Sequence, residues 1–99
     1  MTSQSSRDSA RLLEVLGRMR DLLDAYDMRD WAAALSDIGA RHADEDVRGE
    51  IRRLYGGAGS LNDLVFSCTD RARMIADNNE FDALRSELYE LTGSRVASP

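Results

Sequence analysis

The sequence predicts an all-α protein that folds as a compact bundle of four to five short helices with a glycine-rich corner. Leu and Ala are abundant while β-branched residues are few, a composition that favours helix over strand. The only proline of the 99 residues is Pro99, so no proline interrupts the interior. Apolar residues also recur three and four positions apart, which is the spacing of one helix face. These observations predict a single helical domain over residues 9–93, with flexible tails at 1–8 and 94–99.

Two longer helices are predicted first, over residues 9–26 and 28–42. The apolar face of the first carries Leu12, Leu16, Met19, Leu23 and Tyr26. The face of the second carries Trp31, Leu35, Ile38 and His42. Asp27 is the predicted N-cap of the second helix, because its carboxylate can accept from the free N–H groups of a helix start. Since hardly any linker separates the two helices, we expect an αα-hairpin or a sharp corner.

A short third helix is predicted next, with Asp44 or Asp46 as its cap. Its inward-facing side chains are Val47, Ile51, Leu54 and Tyr55. The block Gly56-Gly57-Ala58-Gly59 follows, and its first or second glycine is expected to end the helix in the left-handed conformation. Ser60-Leu61-Asn62-Asp63 then has the pattern of a capping box, which starts a new helical turn.

The last third of the chain predicts two more helices. Leu64-Val65-Phe66 is too short for periodicity to decide, and both a strand and a helical turn remain open. Thr69-Asp70 is expected to cap a fourth helix that ends at Asp77. Asn78-Asn79 is then a turn signal that opens a last helix, which Gly93 ends.

The charge balance excludes some partners. The formal net charge is −5, and all 13 basic residues are Arg. This field repels a phosphate backbone, so nucleic acid is not an expected partner, whereas a basic protein is. The longest apolar run, Trp31 to Leu35, is too short to span a bilayer, so we expect no membrane association. A single cysteine, Cys68, cannot form an internal disulfide, which fits a cytoplasmic protein.

Residues that carry catalytic or metal chemistry are scarce. One His and one Cys supply none of the paired ligands of a zinc site, so we expect no metal and no cofactor. His42 falls on an apolar face, which favours a packed histidine. A nucleophilic pair of Cys68 and His42 would require that they be neighbours in space. The abundant carboxylates are explained as helix-start residues, and the chain is expected not to be an enzyme.

The glycine-rich loop at 56–60 is the candidate site. It leads into a helix start and follows two arginines, so its N–H groups could bind an anion. A P-loop would need Lys after the last glycine, and Ser60 stands there instead. Asp63 also argues against an anion, because it would occupy or repel the same positive site. The candidates for anion or partner contact are Arg52, Arg53, Gly57, Gly59, Ser60, Asn62 and Asp63.

The stretch from Ile51 to Val65 resembles the signature of a family of small, uncharacterised bacterial proteins with a G-G-x-G-S-x-N-D block. A helix with Trp31-Ala32 upstream and a terminal helix over Leu84 to Leu91 complete the likeness, which covers most of residues 12 to 92. The resemblance implies a recurring domain without an activity to carry over. Small acidic helical bacterial proteins of this kind also resemble the immunity partners of toxins.

We therefore favour a non-enzymatic protein-binding module, and specifically an immunity protein that neutralises a basic bacterial toxin domain. Tyr89, beside Glu87 and Glu90, is a candidate contact residue. The alternative is an anion-binding or nucleotide-binding regulatory module that uses the loop at 56–60. Leu13 and Val15 widen the apolar face of the first helix, which leaves homo-oligomers open.

Overall fold

The structure, a computed structural model, describes residues 3–42, 44–56 and 59–96, with side chains from residue 8 to residue 92 within those ranges. Every regular element in these ranges is helical, so the all-α prediction is confirmed. The elements are α1 (Ser3–Ala25), α2 (Arg29–Arg41), α3 (Arg48–Arg53), a 3-10 turn (Leu61–Asp63) and α4 (Arg71–Val96). Within the described ranges, no helix is long and apolar enough to cross a membrane.

Helix α1 is the centre of the bundle, because it packs against both α2 and α4. This explains its broad apolar face: Val15 is fully buried, whereas Leu13 stays on the surface. Helix α3 packs on α4. The most deeply buried side chains of the core are Val15, Met19, Leu23, Leu35, Ile38, Val47, Ile51, Leu61, Phe66, Phe81 and Leu88.

The junction of α1 and α2 differs from the prediction. Asp27 adopts a left-handed conformation, with φ of 61°, and therefore ends α1 instead of capping α2. The N–H of Met28 donates to the carbonyl of Leu23 at 2.8 Å, which closes the last turn of α1. The Asp27 carboxylate accepts from Nε of Arg29 at 2.9 Å. The prediction of an Asp27 N-cap was wrong, because the chain reverses direction at Asp27 and its left-handed backbone ends α1.

Helix α4 is one continuous helix, where the sequence predicts two. Its start is as expected, since Oδ1 of Asp70 accepts the N–H of Arg73 at 3.1 Å. The predicted turn at Asn78-Asn79 is wrong, and the predicted end at Gly93 is wrong because the helix continues to Val96. Asparagine disfavours helix when its side chain competes for local backbone groups. The Asn78 side chain instead bonds Phe66, which is distant in sequence.

The boundaries of α3 agree in part with the prediction. Of the two proposed caps, Asp46 accepts the N–H of Arg48 at 3.1 Å. At the other end, Gly56 does not have a positive φ, while Gly59 does, at 75°. Gly57 lies outside the described residues. Within the described residues, the left-handed glycine is therefore Gly59, which belongs to the following turn and not to the end of α3.

Candidate functional site

The segment that follows the glycine block, residues 59–68, lies against α4 and is called the docked segment below. Leu61 and Phe66 anchor it in the core. The ring of Phe66 stacks on Tyr26, which directly follows α1, at 4.3 Å between centroids and meets Phe81 of α4 edge-on at 4.9 Å. Two aromatic contacts of this kind fix the ring between two helices. The docked segment therefore bridges α1 and α4.

Arg85 of α4 holds the first half of the docked segment. One guanidinium nitrogen, Nη1, donates to the carbonyls of Leu61 at 3.0 Å, Asn62 at 3.3 Å and Leu64 at 2.9 Å. The other, Nη2, donates to Asp82 at 2.8 Å. Only 13% of the Arg85 side chain is exposed. Sequence reasoning missed this residue, although its position four after Phe81, on an inward face, was an available signal.

Asn78 holds the second half of the docked segment. Its Oδ1 accepts the N–H of Phe66 at 2.8 Å, and its Nδ2 donates to the carbonyl of the same residue at 3.0 Å. Asn78 and Arg85 are seven residues apart, which is about two turns on one face of α4. The two side chains thus hydrogen-bond the backbone of the docked segment along one face of α4.

The glycine-rich loop is internally bonded. Oδ2 of Asp63 accepts the N–H of Gly59 at 2.8 Å. The Asp63 N–H in turn donates to the carbonyl of Ser60 at 2.9 Å, and the Ser60 side chain makes no capping bond. The predicted capping box is therefore wrong: the carboxylate reaches one residue further back, and the turn is a 3-10 turn. An N–H that an anion would use is already occupied by a carboxylate.

The structure separates the other predicted site residues. Gly59, Ser60, Asn62 and Asp63 share the turn, with Ser60 buried and Asn62 exposed. Arg52 turns away from the loop, since its Nε donates to Thr92 at 3.1 Å and its guanidinium lies 4.3 Å from the centroid of the Tyr89 ring. Arg53 is exposed, and its charge contributes to lowering the pKa of Glu50. Gly57 is outside the described residues.

A groove opens where the start of α2 faces the docked segment. It has a volume of about 500 Å³ and is called the acidic groove below. The lining residues are Asp27, Met28, Arg29, Asp30, Trp31 and Leu64. Trp31, predicted to be a core residue, is half-buried and presents part of its indole here. Asp30 is exposed, and its carboxylate makes no ion pair or hydrogen bond to the described part of the chain.

Residues 24–74, just over half of the chain, match a protein family described as Domain of unknown function (DUF6966). The chain belongs to this family. No curated protein and no solved structure matches the chain. The DUF6966 region starts at the end of α1 and ends in the first turn of α4, so it contains the acidic groove and the docked segment. The match is narrower than the resemblance expected over residues 12 to 92.

Outside the DUF6966 region, α4 contributes to a second groove of about 420 Å³. Tyr89 is exposed there and meets Tyr55 edge-on at 5.0 Å between centroids. Glu90 lines the same groove. Glu87 does not, since it pairs with Arg11 of α1 across the bundle. Of the two glutamates expected to form a contact surface with Tyr89, Glu90 therefore lies in the groove and Glu87 does not.

His42 and Cys68 lie in different places. The imidazole Nε2 of His42 is 2.7 Å from Oγ of Ser9, near the start of α1. Cys68 lies beside the hydroxyl of Tyr26, at the other end of α1. Seventeen residues of helix correspond to about 25 Å, so a Cys68 and His42 pair is excluded. Nδ1 of His42 is buried, with no partner in the described ranges.

Ion pairs across the bundle use many of the arginines. Arg41 of α2 binds Glu50 of α3 through two nitrogens, at 2.9 and 2.7 Å. This pairing lowers the pKa of Glu50, and Arg11 lowers that of Glu87 in the same way. Arg48 lowers the pKa of Asp46 to about 2. Within the described ranges, no group of three His, Cys, Asp or Glu side chains is placed to hold a metal ion.

Proposed function

We propose that the chain is a non-enzymatic protein-binding module and that the acidic groove is its contact surface. The supporting observation is the combination of half-buried Trp31 and Leu64 with the carboxylates of Asp27 and Asp30. A tryptophan edge within a polar rim is the composition of an interface centre. The groove lies wholly inside the DUF6966 region, so it belongs to the part of the chain that matches the family.

The charge of the groove indicates the kind of partner. Arg29 is paired with Asp27 at 2.9 Å, which leaves the Asp30 carboxylate to a partner. The net charge of −5 attracts basic surfaces and accelerates their capture. We propose specifically that the chain is an immunity protein that neutralises a basic bacterial toxin domain in the cytoplasm. The support for an immunity protein is that the chain resembles such proteins in size and charge.

Co-purification with the products of neighbouring genes tests the proposal. We expect Asp30→Arg to weaken capture by about ten-fold or more, since it places a cation opposite a basic partner. Asp44→Arg is the matched control, because Asp44 is exposed at the other end of α2 and the charge change is the same. Capture that Asp30→Arg leaves unchanged would place the contact elsewhere. Failure to capture any neighbour, together with turnover of a small molecule, would overturn the binding function.

A further inference from the structure

Residues 64–67 of the docked segment lie outside any helix and share two features with a β-strand. Leu64 is extended, with φ of −72° and ψ of 131°. Exposure then alternates with a period of two: Val65 is 68% exposed, Phe66 is 1% exposed and Ser67 is exposed again. Asn78 takes the place of a neighbouring strand, because its amide satisfies both the N–H and the carbonyl of Phe66.

The opposite edge of this extended stretch makes no hydrogen bond within the described ranges. In an extended chain the polar groups of successive residues point to opposite edges, so those of Val65 and Ser67 face away from α4. Neither backbone makes a hydrogen bond to any residue in the described ranges. Both residues are exposed. An exposed edge with unmade N–H and carbonyl bonds is a template for another strand.

We propose that the edge formed by Val65 and Ser67 accepts an extended basic segment of the partner protein, which adds to it as a β-strand. This inference rests on the proposed binding function and names its mode. Main-chain bonds supply affinity in such complexes, and alternate side chains supply specificity. Leu64, which precedes this edge, lines the acidic groove, where Asp30 favours Lys or Arg. The net charge of −5 disfavours a second copy of this chain as the occupant.

The first test uses a synthetic peptide of about eight residues with alternating Lys and Val, long enough to form a typical strand. Amide hydrogen exchange is followed by NMR on the full chain. We expect the peptide to slow exchange at Val65 and Ser67 by about ten-fold or more, because these N–H groups gain partners. Phe66, already bonded to Asn78, is the internal control. A Glu and Val peptide should have no effect.

The second test removes a donor from the edge. Val65→Pro deletes one outward N–H, and the extended conformation of Leu64 is the one that a residue before proline adopts. We expect about ten-fold weaker peptide binding, whereas Val65→Thr, which keeps the N–H, should bind as the original chain does. If the proline variant does not fold, the exchange measurement on the original chain decides.

Several results would overturn strand addition. One is peptide binding that leaves exchange at Val65 and Ser67 unchanged, or no binding at millimolar peptide. Another is that, in the absence of peptide, exchange at these amides becomes slower as the protein concentration rises, since a second copy would then occupy the edge. The third is full binding by Val65→Pro. Partner capture that Asp30→Arg reduces and Val65→Pro does not would reject the strand while leaving the binding function in place.

Discussion

Asn78, in the middle of α4, bonds both backbone polar groups of Phe66, twelve residues earlier in the chain. One side-chain amide therefore replaces the neighbouring strand that this backbone would need in a sheet. The pair connects the docked segment to the longest helix, and it also leaves the opposite edge of Phe66's neighbours free.

Replacing Asn78 by Ala should lower the free energy of unfolding by about 1–3 kcal/mol, because the half-buried N–H and carbonyl of Phe66 lose their partners. Asn79→Ala is the control, since Asn79 is exposed and its side chain makes no hydrogen bond within the described ranges. Both changes improve helix propensity equally. Urea unfolding followed by circular dichroism measures the difference, and equal stability of the two variants would contradict the role given to Asn78.

Arg85→Met should destabilise the chain by about 2–3 kcal/mol, because three carbonyls lose a charged donor while the aliphatic length is kept. Arg53→Met removes the same charge from an exposed site where the side chain makes no hydrogen bond in the described ranges, and should change stability by less than about 0.5 kcal/mol. Chemical denaturation of both variants provides the comparison. A small effect at Arg85 would show that the docked segment is held mainly by Leu61 and Phe66.

Stability should fall as the pH drops from about 5 to about 2. The pKa values of Glu50 and Glu87 are lowered in the folded chain by their arginine partners, and that of Asp46 is about 2. A lowered pKa means that the stabilisation is present above the unfolded value and is lost as the pH falls through the folded one.

Melting temperatures across this pH range measure the loss. Glu87→Gln removes the pair with Arg11, so its melting temperature should be lower at neutral pH and should fall less steeply with acid. Asp44→Asn is the control, because Asp44 has no side-chain partner in the described part of the chain. High salt should reduce the effect, since these groups are partly exposed to solvent. An acid transition that Glu87→Gln leaves unchanged would exclude this pair as a source of the pH dependence.

Two glycine substitutions should have opposite signs. Gly59→Ala should destabilise the chain by about 1 kcal/mol, because φ of 75° strains any residue with a Cβ. Gly17→Ala should stabilise it by about 0.5–1 kcal/mol, since Gly17 lies inside α1 with open space around its Cα. Thermal unfolding distinguishes the two. Equal effects would show that Gly59 does not require its left-handed conformation.

The glycine-rich loop should not respond to anions. Phosphate, sulfate or nucleotide at millimolar concentration should leave the melting temperature and the loop amide shifts unchanged, because the Asp63 carboxylate already accepts the N–H of Gly59. Asp63→Asn removes the charge and serves as the comparison. A clear rise in the melting temperature of the original chain would favour the alternative of an anion-binding module.

Local patterns in the sequence predicted much of the fold. The apolar spacing of α1 and α2 and the Asp70 cap are confirmed, and Asp46 accepts the N–H of Arg48 from one position before the N-cap Val47, because each depends on residues within a few positions. The errors at Asp27 and Asn78 have a common cause. Both residue types favour helix ends, and the sequence does not show which backbone groups the rest of the fold will bring to them.

The acidic groove was predictable only in its charges. The carboxylates of Asp27 and Asp30 and the indole of Trp31 are visible in the sequence, but their position opposite Leu64 depends on how the docked segment returns to α2. Similarly, Arg85 is one arginine among 13 until its carbonyl partners are known. Contacts between residues distant in sequence carry no local signal.

The sequence by itself determined the helical class, the central apolar faces and the acidic character, since these depend on composition and on the period of an α-helix. Only the tertiary structure decided that α4 is continuous and that residues 64–67 lie along α4 outside any helix. The physical reason is that a polar group buried by folding must find a partner, and the partner of Phe66 is a side chain on another element. The turn over Gly59 to Asp63 leads this segment onto α4.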